Sequence, residues 1–320
     1  MKDIDKPKGP VTPGGRRGWR VARARHGLLG LAAALVLIPW SAAAAEQLRV
    51  AATFTILADL VEQVGGERVT VSSLTPVDAE VHEWELQPSN FRDLERADLV
   101  FYNGYDLEQW MRQVRATAGD GVPVIAVAER SGHATLPIRT GDFEGDPDPH
   151  LWMDPRAVEG YVDAIRDALI ELDPEGKNVY RDNAAAYRDE LEALYEELKE
   201  RLEAVPEGRR FLVTSEAAFP YFADAFGFEH DGIWGTNAEQ EGSPRQIMRV
   251  IDRVCEWQPA AVFWESTISD RHVRSVADET GTEIAGPLYV DSLSGPGGPA
   301  ASYLQLMRHN ATTIVRALTE

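Results

Sequence analysis

Tyr187, Leu191, Leu194, Leu198, Leu202 and Val205 recur at steps of four, three, four, four and three residues. That spacing is one apolar stripe along a helix, and it predicts a single long helix over residues 174–205. At ~1.5 Å per residue such a helix is roughly 45 Å long, and Pro206-Glu207-Gly208 ends it. Its length suits a strut between two bodies, and the flanking sequence reads as two bodies of one kind.

Before the stripe, apolar runs of strand length alternate with helical patterns. Leu48–Thr53, Val69–Leu74, Leu99–Asn103 and Val122–Val127 read as strands; 56–64, the stretch from Pro88 through Arg96, 107–118 and the segment opened by Asp154-Pro155 read as helices. Ser89 is read as the N-cap of the second helix and Asp154, ahead of a proline at the first helical position, as the cap of the last. After the stripe the alternation restarts. Arg210–Thr214, Ala260–Trp264 and Ile284–Val290 read as strands, with a strand start near Phe228-Glu229; 217–226, 243–256, 270–280 and 303–318 read as helices. Strand–helix alternation predicts mostly parallel sheets flanked by helices. The expected fold is therefore α/β, with two Rossmann-like lobes joined by one long backbone helix and a cleft between them. The boundaries are residues 46–172 for the first lobe, 173–206 for the linking helix and 207–320 for the second lobe.

Residues 1–45 are a different object. A basic stretch ending at Arg25 precedes a 14-residue apolar run, Gly27–Trp40, and then the small residues Ser41–Ala45. That order is a cleaved secretory signal, and the run is short of the ~20 residues that span a bilayer. No cysteine follows it, so a lipid-anchored N-terminus is not expected, and the mature chain is expected to be periplasmic. Eight of the 32 basic residues but only two of the 52 acidic ones fall in this head, which leaves 24 and 50 in the rest, a net charge of −26. Such a balance argues against a nucleic-acid partner, because phosphate binding needs clustered Lys and Arg. The single cysteine, Cys255, excludes an internal disulfide and any multi-cysteine metal site, and is read as a small buried apolar residue. No glycine-rich phosphate loop is present.

Of seven histidines, His82 and His150 stand out. Each lies in a loop beside a strand or helix end, with acidic and tryptophan neighbours: Glu80-Val81-His82-Glu83-Trp84 and Asp148-Pro149-His150-Leu151-Trp152. Spacing alone leaves them open as metal ligands or as satisfied core histidines. His133 and His230 are weaker candidates, and His272 and His309 read as helix-surface residues. Trp84, Trp152, Trp234 and Trp264 read as packing residues, Glu239 and Glu241 as solvent-facing, and Glu265 as a candidate partner for a ligating histidine.

Several gapped motifs in order carry a resemblance. PVDAEVHEWELQPSNFRDLERAD (76–98), DPHLWMDP (148–155), FLVTSEAAFPYFADAFG (211–227), GIWGTNAEQEGSPRQ (232–246), FWESTISDR (263–271) and LYVDS (288–292) resemble the metal-binding solute-binding proteins of bacterial ABC importers for manganese, zinc and iron. The resemblance implies four metal ligands: His82, His150, Glu216 and Asp291. It implies a divalent metal ion as cargo and an importer permease with its ATPase as partner, for a monomeric, non-enzymatic carrier. Zinc-binding relatives typically have a third histidine where this chain has Glu216, and two imidazoles with two carboxylates form an oxygen-rich set that favours Mn²⁺, with Fe²⁺ or Zn²⁺ as alternatives. A metal-dependent adhesin, or a metallohydrolase using the same residues around an open metal position, are the competing readings.

Overall fold

The computed structural model describes residues 47–237 and 242–320. The signal reading of residues 1–45, with its cleavage site and its lack of a lipid-bearing cysteine, and the solvent-facing reading of Glu239 and Glu241, lie outside those residues.

The first half of the described chain is β1 (Leu48–Ala52), α1 (Thr55–Gly65), β2 (Val69–Ser73), α2 (Pro88–Arg96), β3 (Leu99–Tyr102), α3 (Met111–Thr117), β4 (Val124–Ala126), α4 (Val127–Arg130) and α5 (Pro155–Leu172). Its strands form one parallel sheet in the order β2-β1-β3-β4. Val50, Ala51 and Ala52 of the central strand are buried on both faces, as expected where helices cover both sides of a parallel sheet.

Two local expectations shift. Ser89 is not the cap of α2; it lies in the first turn, and Gln87 precedes the helix with its N–H donated to Asn90 Oδ1 at 2.8 Å. Pro88 takes the first helical position, where a missing N–H costs nothing. The helix expected over 107–118 starts only at Met111. Tyr105 and Asp106 ahead of it adopt left-handed backbone (φ 51° and 56°), which a right-handed helix cannot absorb. The buried Glu108 carboxylate fixes this turn by accepting from Thr53 Oγ1 at 2.6 Å and Asn103 N–H at 2.7 Å. At α5 the expectation holds: Asp154 accepts from Arg156 N–H at 2.9 Å and Pro155 opens the helix.

The long helix is α6 (Lys177–Leu202), 26 residues and ~39 Å long. It is shorter than expected because Pro174–Gly176 forms a separate 3-10 turn and the chain turns away after Leu202. Every residue of the predicted stripe is buried. The helix is not a free strut, however: it lies against α1 and α5 of the first half and α10 of the second. Both halves share one apolar core across it, from Phe54 and Trp152 through Leu194 and Leu198 to Phe219 and Tyr303.

The second half is β5 (Phe211–Glu216), α7 (Pro220–Phe226), β6 (Glu229–Trp234), α8 (Pro244–Trp257), β7 (Ala261–Glu265), α9 (Arg271–Thr280), β8 (Glu283–Leu288) and α10 (Tyr303–Thr319). β5 pairs with β6 and β7 with β8, both in parallel, and β5 runs alongside β7. β5 extends two residues beyond expectation because Glu216 stays in register with Trp234 of β6. Ser243 caps α8, exchanging hydrogen bonds with Gln246. Cys255, expected inside, is exposed on α8. No helix among the described residues is long and apolar enough to cross a membrane.

If α6 is the spine on which both halves pack, Leu198→Ala should destabilise the protein by about 2–5 kcal/mol in urea unfolding. A loss under about 1 kcal/mol would mean that the shared core does not depend on this stripe.

Candidate metal centre

The four residues singled out from the sequence arrive from four places. His82 lies in the loop between β2 and α2, and His150 just ahead of the 3-10 turn Leu151–Met153 that leads into α5. Glu216 ends β5, and Asp291 follows β8 by three residues. Two come from each half; His82, Glu216 and Asp291 lie where the chain leaves parallel strands, where ligand sites of open α/β sheets form, and His150 lies on the segment entering α5. All four are buried, with 1% or less of each exposed, and they offer one nitrogen or oxygen apiece within 4.8 Å of one another. His82 Nε2 lies 3.4 Å and His150 Nε2 3.6 Å from Glu216 Oε1; His150 Nε2 lies 4.0 Å from Asp291 Oδ1.

The surrounding hydrogen bonds select which atoms face inward. His150 donates its backbone N–H to Asp148 Oδ1 at 2.9 Å, and the same oxygen lies 3.0 Å from its Nδ1. A carboxylate only accepts, so the ring proton sits on Nδ1 and the Nε2 lone pair is left for the cluster. Trp152 packs edge-on against this ring at 5.2 Å and donates its Nε1–H to Val290 O at 3.0 Å, tying the residue before Asp291 to the first half. His82 donates its N–H to Glu80 Oε1 at 2.9 Å, and its Nδ1 lies 3.3 Å from Thr236 Oγ1. Glu216 donates its N–H to Glu265 Oε1 at 3.2 Å, so Glu265 supports a carboxylate rather than a histidine. Asn237 donates its backbone N–H to Glu216 Oε1 at 2.7 Å and its side-chain amide to Asp291 Oδ2 at 3.3 Å. Four buried atoms then have no hydrogen-bond partner, one on each residue: His82 Nε2, His150 Nε2, Glu216 Oε2 and Asp291 Oδ1.

The electrostatics are those of a site built for a cation. Burial, then Asp291, Glu80 and Glu265 as neighbouring charges, push the Glu216 carboxyl well above the usual carboxylate range. Burial, then Glu80 and Glu265, do the same to Asp291. Burial, then His150, hold His82 well below the usual histidine range, so it is a neutral donor. Neither Glu216 nor Asp291 has a Lys or Arg ion pair among the described residues. Buried charges need a partner or a metal, and a divalent cation would neutralise both. Four ligands at ~2.0–2.2 Å from one ion lie roughly 3.3–3.6 Å apart in a tetrahedron and at most ~4.4 Å apart when on opposite sides of it, so the cluster would draw in by about 1 Å or less around an ion. The donor set fits one such ion.

The remaining histidines stay outside the cluster. His230 is buried with its Nε2 3.0 Å from Thr214 Oγ1, and its pKa is lowered by burial to about 3. His133 lies near Tyr221, and His309 Nε2 lies 3.0 Å from Pro287 O. His272 is not on the surface; it is buried edge-on against Trp234. Trp152 and Trp234 are fully buried packing residues, as expected. The residues that sequence reasoning left without a role are Glu80, Asp148, Thr236 and Asn237. For two of them a signal was present: each cluster histidine is preceded by an acid two positions earlier, and both acids accept the histidine N–H at 2.9 Å.

Two α/β halves packed on one spine helix, with a fully buried polar cluster where they meet, define a solute-binding protein. Residues 50–317 match the family model described as ZnuA, zinc-uptake complex component A, periplasmic. The chain belongs to this family. It is 40% identical over 272 residues to the iron-binding protein YfeA of Yersinia pestis, covering 85% of this chain and 86% of that one. It is 38% identical over 275 residues to the manganese-binding lipoprotein MntA of Halalkalibacterium halodurans, covering 86% and 90%. Streptococcal relatives at 31–32% identity are named metal ABC transporter substrate-binding lipoproteins. Among solved structures, the Mn-bound periplasmic metal binding protein of Candidatus Liberibacter asiaticus superposes with a TM-score of 0.77 at 32% identity, covering 85% of this chain and 100% of that one. The chain is accordingly a substrate-binding protein of the ABC-importer type and not an enzyme.

The raised carboxyls set the sign of a pH effect. In the metal-free folded chain Glu216 and Asp291 keep a proton at pH values where the unfolded chain, with ordinary values of 4.5 and 3.8, has lost it. Their contribution to stability is present at low pH and is lost as pH rises through the raised values. Asp291→Asn should therefore raise the melting temperature of the chelator-treated protein at pH 7.5, and the gain should shrink as pH falls toward 5. A lowered melting temperature, or a gain independent of pH, would contradict the burial of an uncompensated carboxylate.

Proposed function

We propose that this chain captures one divalent transition-metal ion outside the cytoplasmic membrane and delivers it, as a monomer, to the permease and ATPase of an ABC importer. The ligands are His82 and His150 through Nε2 and Glu216 and Asp291 through carboxylate oxygens. The observation that carries the reading is the set of four buried, unpartnered atoms, one on each of these residues. Four protein donors at one point leave little room for an activated water, which suits capture and release rather than hydrolysis. The lobes are residues 46–172 and 207–320, with 173–206 joining them.

Mn²⁺ is the favoured cargo, with Fe²⁺ or Zn²⁺ as alternatives. Two carboxylates and two imidazoles are a harder donor set than the thiolate sites that select soft metals. The relatives whose names specify iron and manganese point the same way. Zn²⁺ stands above Mn²⁺ in intrinsic affinity at nearly any such site, so binding in a test tube does not identify the cargo. Elemental analysis of protein taken from its native compartment without chelators does. About one Mn or Fe per chain supports this reading; one Zn would move the cargo to zinc, and no metal would overturn the carrier role.

Glu216→His replaces an oxygen donor with an imidazole. The ratio of Zn²⁺ to Mn²⁺ affinity, measured by competition, should rise at least about tenfold, ~1.4 kcal/mol of discrimination. An unchanged ratio would remove the argument from donor hardness.

A further inference from the structure

The two cluster histidines share a local motif and use it differently. Asp148 accepts the N–H of His150 and turns back on that histidine's own ring, its Oδ1 lying 3.0 Å from Nδ1. Glu80 accepts the N–H of His82 through Oε1, but its side chain is one methylene longer and its Oε2 points away from His82. It accepts from Asn237 Nδ2 at 2.7 Å, across 157 residues of sequence and from the other half of the molecule.

Asn237 is the most connected residue near the cluster. It is 2% exposed; it holds Glu216 Oε1 through its backbone N–H and Asp291 Oδ2 through its amide, and its Oδ1 accepts from Trp234 Nε1 at 2.7 Å. The loop carrying His82 has a second fastening beside the first, Asp78 N–H donated to Ser292 Oγ at 2.8 Å, next to Asp291. Asp78 is exposed and Glu80 half-buried, whereas all four cluster side chains are sealed beneath. The Glu80–Asn237 contact thus joins a partly exposed side chain of this loop to a buried residue beside the cluster.

We propose that Glu80 and Asn237 form a latch between the two halves that sets how fast the metal ion is released, as positioning residues and not as ligands. The proposal rests on the metal-binding reading above. The latch joins the loop that delivers His82 to the one residue that also holds both carboxylates, so closing the loop and fixing the oxygens become one event. Outer hydrogen-bond partners of metal ligands typically carry a 10–100-fold effect on affinity; here that effect falls on release, because the contact forms only once the loop is down.

The test uses Mn²⁺ and the full mature chain, with release into excess chelator followed by the fluorescence of the tryptophans beside the site. Glu80→Asp is the informative variant. Asp148 shows that an aspartate two residues before a histidine still accepts its N–H, so this change keeps the turn and withdraws the reach to the second half, to Asn237 and to Asp291 beside it. Glu80→Asp and Asn237→Ala should each release Mn²⁺ about tenfold faster or more, with association within about twofold of wild type. The double variant should release no faster than Asn237→Ala alone, because both changes break the same bond. Wild-type release rates in Glu80→Asp, or a double variant whose effect is the product of the two, would overturn the latch while leaving the metal site standing. A wild-type chain that binds no Mn²⁺ would overturn the metal-binding reading and the latch with it.

Discussion

Two carboxylates, Glu216 and Asp291, are buried beside each other with no lysine or arginine to balance them among the described residues. Desolvation and mutual repulsion make that arrangement costly unless a proton or a cation is shared between them. Everything near them is consistent with the second solution. Burial and His150 hold the His82 imidazole neutral, Asn237 donates to one oxygen of each carboxylate, and Glu265 braces the backbone of Glu216. In the proposed function one divalent ion would neutralise both carboxylates, which would couple its binding to the arrangement that brings them together.

The fold supplies the convergence. Parallel strands end on one side of a sheet, so the loops that leave them collect there; β5 and the segment after β8 bring Glu216 and Asp291, and the loops after β2 and before α5 bring the histidines. The spine helix α6 sits on the far side of this logic. It contributes nothing to the cluster, yet its stripe joins α1, α5 and α10 into one core. A shared core of that kind ties the two halves together behind the cluster.

Much of this was legible in the sequence. The stripe from Tyr187 to Val205 announced the long helix because a 3.6-residue period needs no tertiary information. The strand and helix alternation announced the sheets for the same reason. The four cluster residues became visible only through a resemblance spread over gapped motifs, since His82 and His150 are 68 positions apart and carry no local ligand spacing. What stayed hidden depends on long-range contact. Asn237 has no periodicity or neighbour that marks it; its role exists only where Glu80, Glu216 and Asp291 surround it. The late start of α3 follows from the buried Glu108 carboxylate, and the exposure of Cys255 and burial of His272 follow from which face of α8 and α9 meets the core. Residue type alone misjudges such positions.

The most direct test of the central claim is a crystal structure of the Mn²⁺-loaded protein, with the ion located by its anomalous scattering. A single ion should lie within ~2.0–2.3 Å of His82 Nε2, His150 Nε2 and at least one oxygen from each of Glu216 and Asp291. An ion bound elsewhere, or one that leaves any of these four side chains outside its coordination sphere, would contradict it.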